Sequence, residues 1–439
     1  MKRILLAFTF LVSLSPIIPA QQMNSAKLDS LLTVLEQNDK FMGSIAVSHD
    51  GTLIYTKAVG FADLTDSIAA TPETEYRIGS ISKMFTAALT FKAAEKGILD
   101  LDQTIKGYFP KLDNADKIKI RYLLNHRSGI HNFTGEADYK EWETEPRTEQ
   151  QLIDLISGFK SDFEPDSKAE YSNSNYVLLS FILEKAYKKP YKELVETYII
   201  KPLGLKHTAY GGPADPKKGD SYSYHYDQGW VKAPETDMSI PVGAGALVST
   251  PSDLCRFITG LFDGKIISME SLDQMKTMKE NYGMGMFEYG FGDKKGYGHN
   301  GGIDGFRSNL GYIPEDKVSI AMTSNGMNYN MNSIMIDVLN SYYNIPFRIP
   351  EFNTIESSEA DLQKYTGEYS STQIALKIKV FTEGNKLKAQ ATGQSSFPLE
   401  QTAPNVFHFD QAGIVMEFDP ENKSMVLKQG GGEFRYTKD

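Results

Sequence analysis

The chain has 439 residues, 46 Lys+Arg against 56 Asp+Glu, 41% hydrophobic residues and one cysteine. This is an acidic globular composition with room for more than one core, and it excludes disorder as the main state. A net charge of −10 without a long Lys/Arg cluster argues against nucleic acid as a partner, and Cys255 with seven scattered histidines supports neither an internal disulfide nor a Cys/His metal centre.

Lys2 and Arg3 precede an apolar run from Ile4 to Leu14, then Ser15, Pro16, Pro19 and Ala20 ahead of Gln21. That is the layout of a secretory signal peptide over residues 1–20, cleaved after Ala20. The run is short for a membrane span of about 20 residues. The expectation is an exported protein, periplasmic or secreted, with no stable membrane span after removal of the signal.

Residues 43–61 alternate at Ile45, Val47, Leu53 and Tyr55 around His49-Asp50-Gly51, which predicts a β-hairpin. From Ile81 to Lys96 the pattern is helical and apolar on most faces, and Gly97 closes it. Amphipathic stretches at Gln150 to Ser157, Tyr176 to Ala186 and Pro251 to Phe262 make the middle mainly α. Strands return over residues 306–324 across Pro314-Glu315-Asp316, followed by a helix around 331–342.

Pro346, Pro350 and the polar run from Asn353 to Glu359 read as a linker, with a boundary near residue 352. Beyond it, alternation at Ile374/Leu376/Ile378/Val380, Leu387/Ala389/Ala391, Val406 to Phe409, Ile414 to Phe418, Met425 to Leu427 and Phe434/Tyr436 predicts a small all-β domain over 353–439. The expected fold class is α+β over residues 21–352, with this antiparallel β-barrel-like or β-sheet domain appended.

Ser80-Ile81-Ser82-Lys83 places a hydroxyl at the start of the buried helix and an amine three residues on, which share a helix face. A serine attacks only when a base takes its proton, and a lysine serves only if burial or a nearby positive charge lowers its pKa. The Ser80 N–H at the helix start suits an oxyanion. The competing reading is a serine that merely caps a helix. About two Ser-x-x-Lys matches arise by chance in a chain this long, and the second, Ser157-Gly158-Phe159-Lys160, lacks a buried platform.

Tyr171-Ser172-Asn173 stands in a polar stretch before a helix starting near Tyr176. A phenol beside a cation has a lowered pKa and can relay the Ser80 proton, while Asn173 offers donor and acceptor to a substrate amide. His299-Asn300-Gly301-Gly302 precedes the returning strands; its glycines let substrate lie along the backbone, and Gly302 N–H is a second oxyanion donor. Each of these short motifs also recurs elsewhere in the chain, where a packing tyrosine or a turn glycine suffices.

Taken together, the serine, tyrosine and histidine-glycine motifs in this order resemble the serine β-lactamase and penicillin-binding protein superfamily, in the group with class C β-lactamases, DD-peptidases, D-aminopeptidases and related esterases. Tyr76-Arg77-Ile78-Gly79, Leu123 to Gly129, Pro202-Leu203-Gly204-Leu205 and Gly245 to Thr250 extend the resemblance over about residues 24–345. The resemblance implies Ser80 as nucleophile, Lys83 and Tyr171 as proton-transfer partners, Asn173 as an amide contact, and His299 with Gly301 at the site edge. It also implies an antiparallel sheet flanked by helices beside a mainly helical region, with no metal and no organic cofactor. Asn300 is a departure, because class C enzymes carry Lys-Thr-Gly where this chain has His299-Asn300-Gly301, and this weighs against recognition of a substrate carboxylate. The expected activity is hydrolysis of amides or esters of a small-molecule or peptide-like substrate, of D-aminopeptidase, DD-peptidase or esterase type. The alternatives are a penicillin-binding sensor or scavenger that acylates without efficient turnover, or a weak class C-type β-lactamase.

Overall fold

The computed structural model describes residues 23–430 and 432–439; the signal peptide expected over residues 1–20 lies outside them. Asn24 caps α1 (Ser25–Gln37) by accepting a hydrogen bond from Lys27 N–H, and Leu28, Leu31, Leu32 and Leu35 form its buried stripe. Then β1 (Phe41–His49) and β2 (Thr52–Val59) make the expected hairpin. Asp50 and Gly51 both have positive φ, as a tight two-residue turn between twisted strands requires.

The apolar helix α2 (Ser82–Glu95) is buried on nearly every side. Ser80 lies just before it, in a 3-10 turn over Gly79–Ile81. The second large helix, α3 (Asn173–Tyr187), begins at Asn173 rather than near Tyr176, so Tyr171 sits immediately outside its first turn. Next come β3 (Tyr224–Tyr226), β4 (Trp230–Lys232) and α4 (Pro251–Phe262), the helix that buries Cys255. Four strands follow: β5 (Phe287–Phe291), β6 (Lys294–Ile303), β7 (Phe306–Ile313) and β8 (Val318–Met327). The helix α5 (Met331–Tyr342) closes this part of the chain.

The main path of the sheet runs β5-β6-β7-β8-β1-β2, with β3 and β4 attached at β8. Its central pair, β1 with β8, joins the two ends of this part of the chain in antiparallel register, Ile45 opposite Met322. Ile45, Val47, Ile320 and Met322 pack on one face against Leu28, Leu32, Ile334 and Val338 of α1 and α5. Ala46, Leu310, Tyr312 and Ala321 face the larger core shared with α2, α3 and α4. Covered on both faces, β1 is buried from Phe41 to Ser48, and each fully buried large aliphatic side chain contributes about 1.5–3 kcal/mol.

The tail forms eight strands, from β9 (Gly367–Ser370) to β16 (Gly432–Lys438), that close into a barrel. Tyr369, Val380, Phe407, Met416, Phe418 and Tyr436 fill its interior. Pairing begins at Ile378, so Ile374 and Leu376 are not part of a strand. Phe397–Ala403 is a strand that periodicity did not mark, because Pro398, Glu400 and Gln401 interrupt the apolar alternation. The barrel is held to the preceding part of the chain by Lys40 Nζ, 2.9 Å from Asp410 Oδ2, and by Gln411 Nε2, which donates to Asn328 Oδ1 at 2.8 Å. Among the described residues no helix is long and apolar enough to cross a membrane.

Candidate active site

Ser80, Lys83 and Tyr171 meet at one point. Lys83 Nζ lies 2.9 Å from Ser80 Oγ, and Tyr171 O–H donates to the same oxygen at 2.8 Å. Lys83 is fully buried in the helix wall, and burial holds its pKa well below the ordinary lysine value. Its other two contacts are both carbonyl acceptors, Asn173 Oδ1 at 2.8 Å and Ala244 O at 2.7 Å. A neutral amine has two hydrogens, and these two acceptors take both. Its lone pair is then left for the Ser80 hydroxyl proton.

Tyr171 departs from expectation. Instead of a phenol acidified by a neighbouring cation, burial pushes its pKa up, against the smaller lowering by the Ser80 hydrogen bond. The physical reason is that the phenol is itself buried, and its desolvation outweighs the lowering by Ser80. Tyr171 is therefore a phenol that donates a hydrogen bond. His126 stacks on it at 4.4 Å between ring centroids, and its Nδ1 accepts from Ser172 N–H. Burial holds His126 well below the ordinary histidine value, with smaller contributions from Lys83 and His299. Within the Leu123 to Gly129 stretch, His126 is the side chain that forms the wall beside Tyr171.

Asn173 is committed at both ends, since its Nδ2 donates to Thr134 Oγ1 at 2.8 Å while its Oδ1 holds Lys83. Its first role is thus to aim the amine, and its side chain also lines the cleft. Thr134 and the Ala244 carbonyl escaped the sequence reading: one is a loop hydroxyl without a motif, the other a main-chain atom. The stretch beginning at Gly245 was singled out one residue later.

The strand β6 presses against the turn that carries Ser80. Gly79 has φ +49°, and a Cβ there would come within 2.9 Å of Gly302 N; a Cβ at Gly301 would come within 2.1 Å of the Ile78 carbonyl. Glycine at both positions lets the two backbones touch, which brings Gly302 into the same cleft as Ser80. A buried ion pair pins this contact. Arg77 Nη1 donates to Asp304 Oδ2 and to Thr236 O, each at 2.8 Å, and Asp304 also accepts from Thr236 N–H and Oγ1. Asp304 is in the turn between β6 and β7, so the clamp ties that turn to the residues just before Ser80.

His299 is buried beside Phe287 and donates from Nδ1 to the Asn300 carbonyl. Burial, then Lys83, bring its pKa down to about 3, so it is an uncharged wall of the site. Asn300 is the one candidate that the structure turns away from the nucleophile. It is not among the residues that line the cleft over Ser80 and lines two other cavities instead, one of them together with His299. The second Ser-x-x-Lys segment ends a helix over Glu149–Gly158 and leaves the Lys160 side chain 91% exposed.

The cleft over Ser80 has a volume of about 220 Å³, and Phe133, Tyr139, Glu143, Val177 and Gly302 are among its walls. Glu143 is buried except toward this cleft, and Lys140, itself mostly exposed, reaches its carboxylate at 2.9 Å. Among the described residues no cluster of His, Cys, Asp and Glu suits a metal ion. What remains is a hydroxyl with a base, an acid and two backbone N–H groups around one small cleft, the equipment for acyl transfer.

Comparison with known proteins points the same way. The family model described as Beta-lactamase matches residues 34–339. A penicillin-binding protein of Bacillus subtilis (strain 168) is 26% identical, covering 94% of this chain and 98% of that protein. A teichoic acid D-alanine hydrolase of Staphylococcus aureus is 28% identical over 55% of this chain and 58% of its own. The crystal structure of D-amino acid amidase from Ochrobactrum anthropi, complexed with D-phenylalanine, superposes with a TM-score of 0.66 at 26% identity, covering 74% of this chain and 99% of that one.

Proposed function

Since the chain belongs to the beta-lactamase family of serine hydrolases, we propose that it cleaves amides or esters of D-amino acids through an acyl-enzyme on Ser80. The observation that carries this reading is the buried Lys83 amine, anchored by the Asn173 and Ala244 oxygens with its Nζ 2.9 Å from Ser80 Oγ. The Ser80 oxygen bonds to the substrate carbonyl carbon as its proton passes to Lys83 Nζ. The carbonyl electron pair moves onto oxygen, toward the N–H groups of Ser80 and Gly302. As the intermediate collapses, Tyr171 gives its proton to the departing nitrogen or oxygen, and the protonated Lys83 amine returns one to the phenolate. Water then adds to the ester by the same route, with its proton taken up by the Lys83 and Tyr171 pair and returned to Ser80, releasing the acid.

Two features support a D-aminoacyl substrate. Two of the relatives are named for D-amino acid substrates, and Glu143 offers a carboxylate to a substrate ammonium in a position that the exposed Lys140 can vacate. The leader-like first twenty residues support placing the reaction outside the cytoplasm.

The test is a matched set of D-alanyl and L-alanyl amides and esters with labelled penicillin alongside. We expect repeated turnover with a preference for the D series, and a loss of at least about 10³-fold in Ser80→Ala with the melting temperature retained. Activity retained by Ser80→Ala overturns the nucleophile. A stoichiometric burst with a long-lived adduct on every substrate favours the sensor or scavenger instead.

A further inference from the structure

Tyr171 has no helix or strand of its own to hold it. It follows a stretch without regular structure, and Ser172, the cap of α3, is extended at φ −140° and ψ 122°. Residues two apart in an extended chain face the same way, and the N–H groups on either side of Tyr171 both end on one residue. Glu170 N–H donates to the His126 carbonyl at 2.9 Å, and Ser172 N–H donates to His126 Nδ1 at 3.2 Å. The imidazole then lies against the phenol ring, with 4.4 Å between centroids and an inclination of 33°. His126 thus grips Tyr171 at the main chain before it, at the main chain after it and at the ring.

The grip is itself braced. Tyr176 and Tyr282 close around the imidazole at 5.3 and 5.4 Å between centroids, and Asn175, whose Oδ1 accepts from Ser128 O–H at 2.6 Å, turns its Nδ2 toward Nδ1. An Nδ1 that accepts carries no proton, so the imidazole is neutral with its hydrogen on Nε2, in keeping with its burial. His126 has φ +57°, a left-handed conformation that few side chains adopt and in which histidine and asparagine are enriched. The residues after it continue the hold. The Arg127 carbonyl accepts from Asp166 N–H at 2.8 Å while its guanidinium binds the Asp166 carboxylate, and the Gly129 carbonyl accepts from Asp162 N–H at 2.9 Å. The stretch from His126 to Gly129 is a rail for the loop over 162–172, and His126 is the member that meets Tyr171.

We propose that His126 is a positioning residue for the proton transfer, holding the Tyr171 hydroxyl on Ser80 Oγ and within reach of the departing atom. The proposal rests on the reading of Tyr171 above as the donor to the leaving group. The hydrogen bonds of His126 go to Leu123, Glu170, Ser172 and Asn175 and none to Ser80 or Lys83, so it acts through Tyr171. An amide nitrogen leaves only with a proton, whereas an aryl oxide of low basicity leaves without one. A misplaced Tyr171 therefore harms amides and spares activated esters, while a general loosening of the fold harms both.

The test measures kcat/KM, which reports acylation, for D-alanine amide and the nitrophenyl ester of D-alanine in the full-length protein. His126→Phe keeps a ring but removes the acceptor for Ser172, and His126→Asn keeps an acceptor and tolerates the positive φ but removes the ring. Both should lose about 10- to 100-fold on the amide and no more than about 3-fold on the ester. The ratio of the two rates does not depend on how much enzyme is folded, so a variant of lower stability still decides the matter. On a Tyr171→Phe background neither change should cost more on the amide, since the phenol to be held is gone. Equal losses on both substrates, no loss on the amide, or an additive loss on the Tyr171→Phe background overturn the proposal and leave Tyr171 as the acid. If Tyr171→Phe itself spares the amide, or the unmodified enzyme does not cleave it, the reading of Tyr171 falls and the proposal with it.

Discussion

In the proposed reaction Lys83 is the base, and its burial has a thermodynamic signature. The unfolded chain keeps a proton on this lysine up to about pH 10.4, whereas the folded protein releases it at much lower pH because the amine is desolvated. The unfolded state therefore binds more protons across that interval, and the Lys83 contribution to stability rises with pH. Compared with Lys83→Met, the unmodified protein should gain stability between pH 7 and 10 in denaturant titrations; a constant difference would show the lysine charged in the fold. Lys83→Arg should lose about 10²- to 10⁴-fold in turnover, as a guanidinium cannot surrender its proton. Ser80, Lys83 and Tyr171 were legible because their side chains recur in a known order. The sign of the Tyr171 shift was not, since it is set by the burial of the phenol in the folded protein. Nor was the Ala244 carbonyl, which carries no side-chain signal.

At the scale of elements, the decisive contact is strand β6 against the turn at Ser80. Gly301→Ala should drive a methyl group into the Ile78 carbonyl, cost about 1–3 kcal/mol of stability and displace Gly302 from the cleft. The check is to measure melting and kcat together: a stable variant with full kcat would show that the two backbones need not touch. The hairpin β1–β2, the helices α2, α4 and α5 and the pair β7–β8 were readable from periodicity and turn residues. Strand β6 was not, because a run with Gly296, Gly298, Gly301 and Gly302 has weak β-propensity, and it is a strand by virtue of its neighbours β5 and β7. The start of α2 moved by one residue and that of α3 by three, with Ser80 in a 3-10 turn and Tyr171 just outside a helix.

For the molecule as a whole, the barrel and the catalytic part share a nearly buried ion pair. Although burial pushes the Asp410 carboxyl up, hydrogen bonds and charge from His408 and Lys40 hold it below the ordinary value. Asp410→Ala leaves Lys40, whose side chain is 9% exposed, facing the more distant Glu400 carboxylate at 3.9 Å, and should cost about 1–3 kcal/mol. Limited proteolysis between residues 344 and 358 should then accelerate; an unchanged cleavage rate would mean the pair does not hold the barrel. The existence of a separate β-rich tail was readable from its alternation, but closure into a barrel and docking through Lys40 were not, because both depend on partners hundreds of residues apart. The same separation governs the central strands. Residues 41–49 lie against 318–327, so a growing chain must hold its first strand unpaired on that edge until more than three hundred residues have been made. Such long-range closure is slow, and any chain ending before β8 carries a sticky apolar ribbon in place of a core.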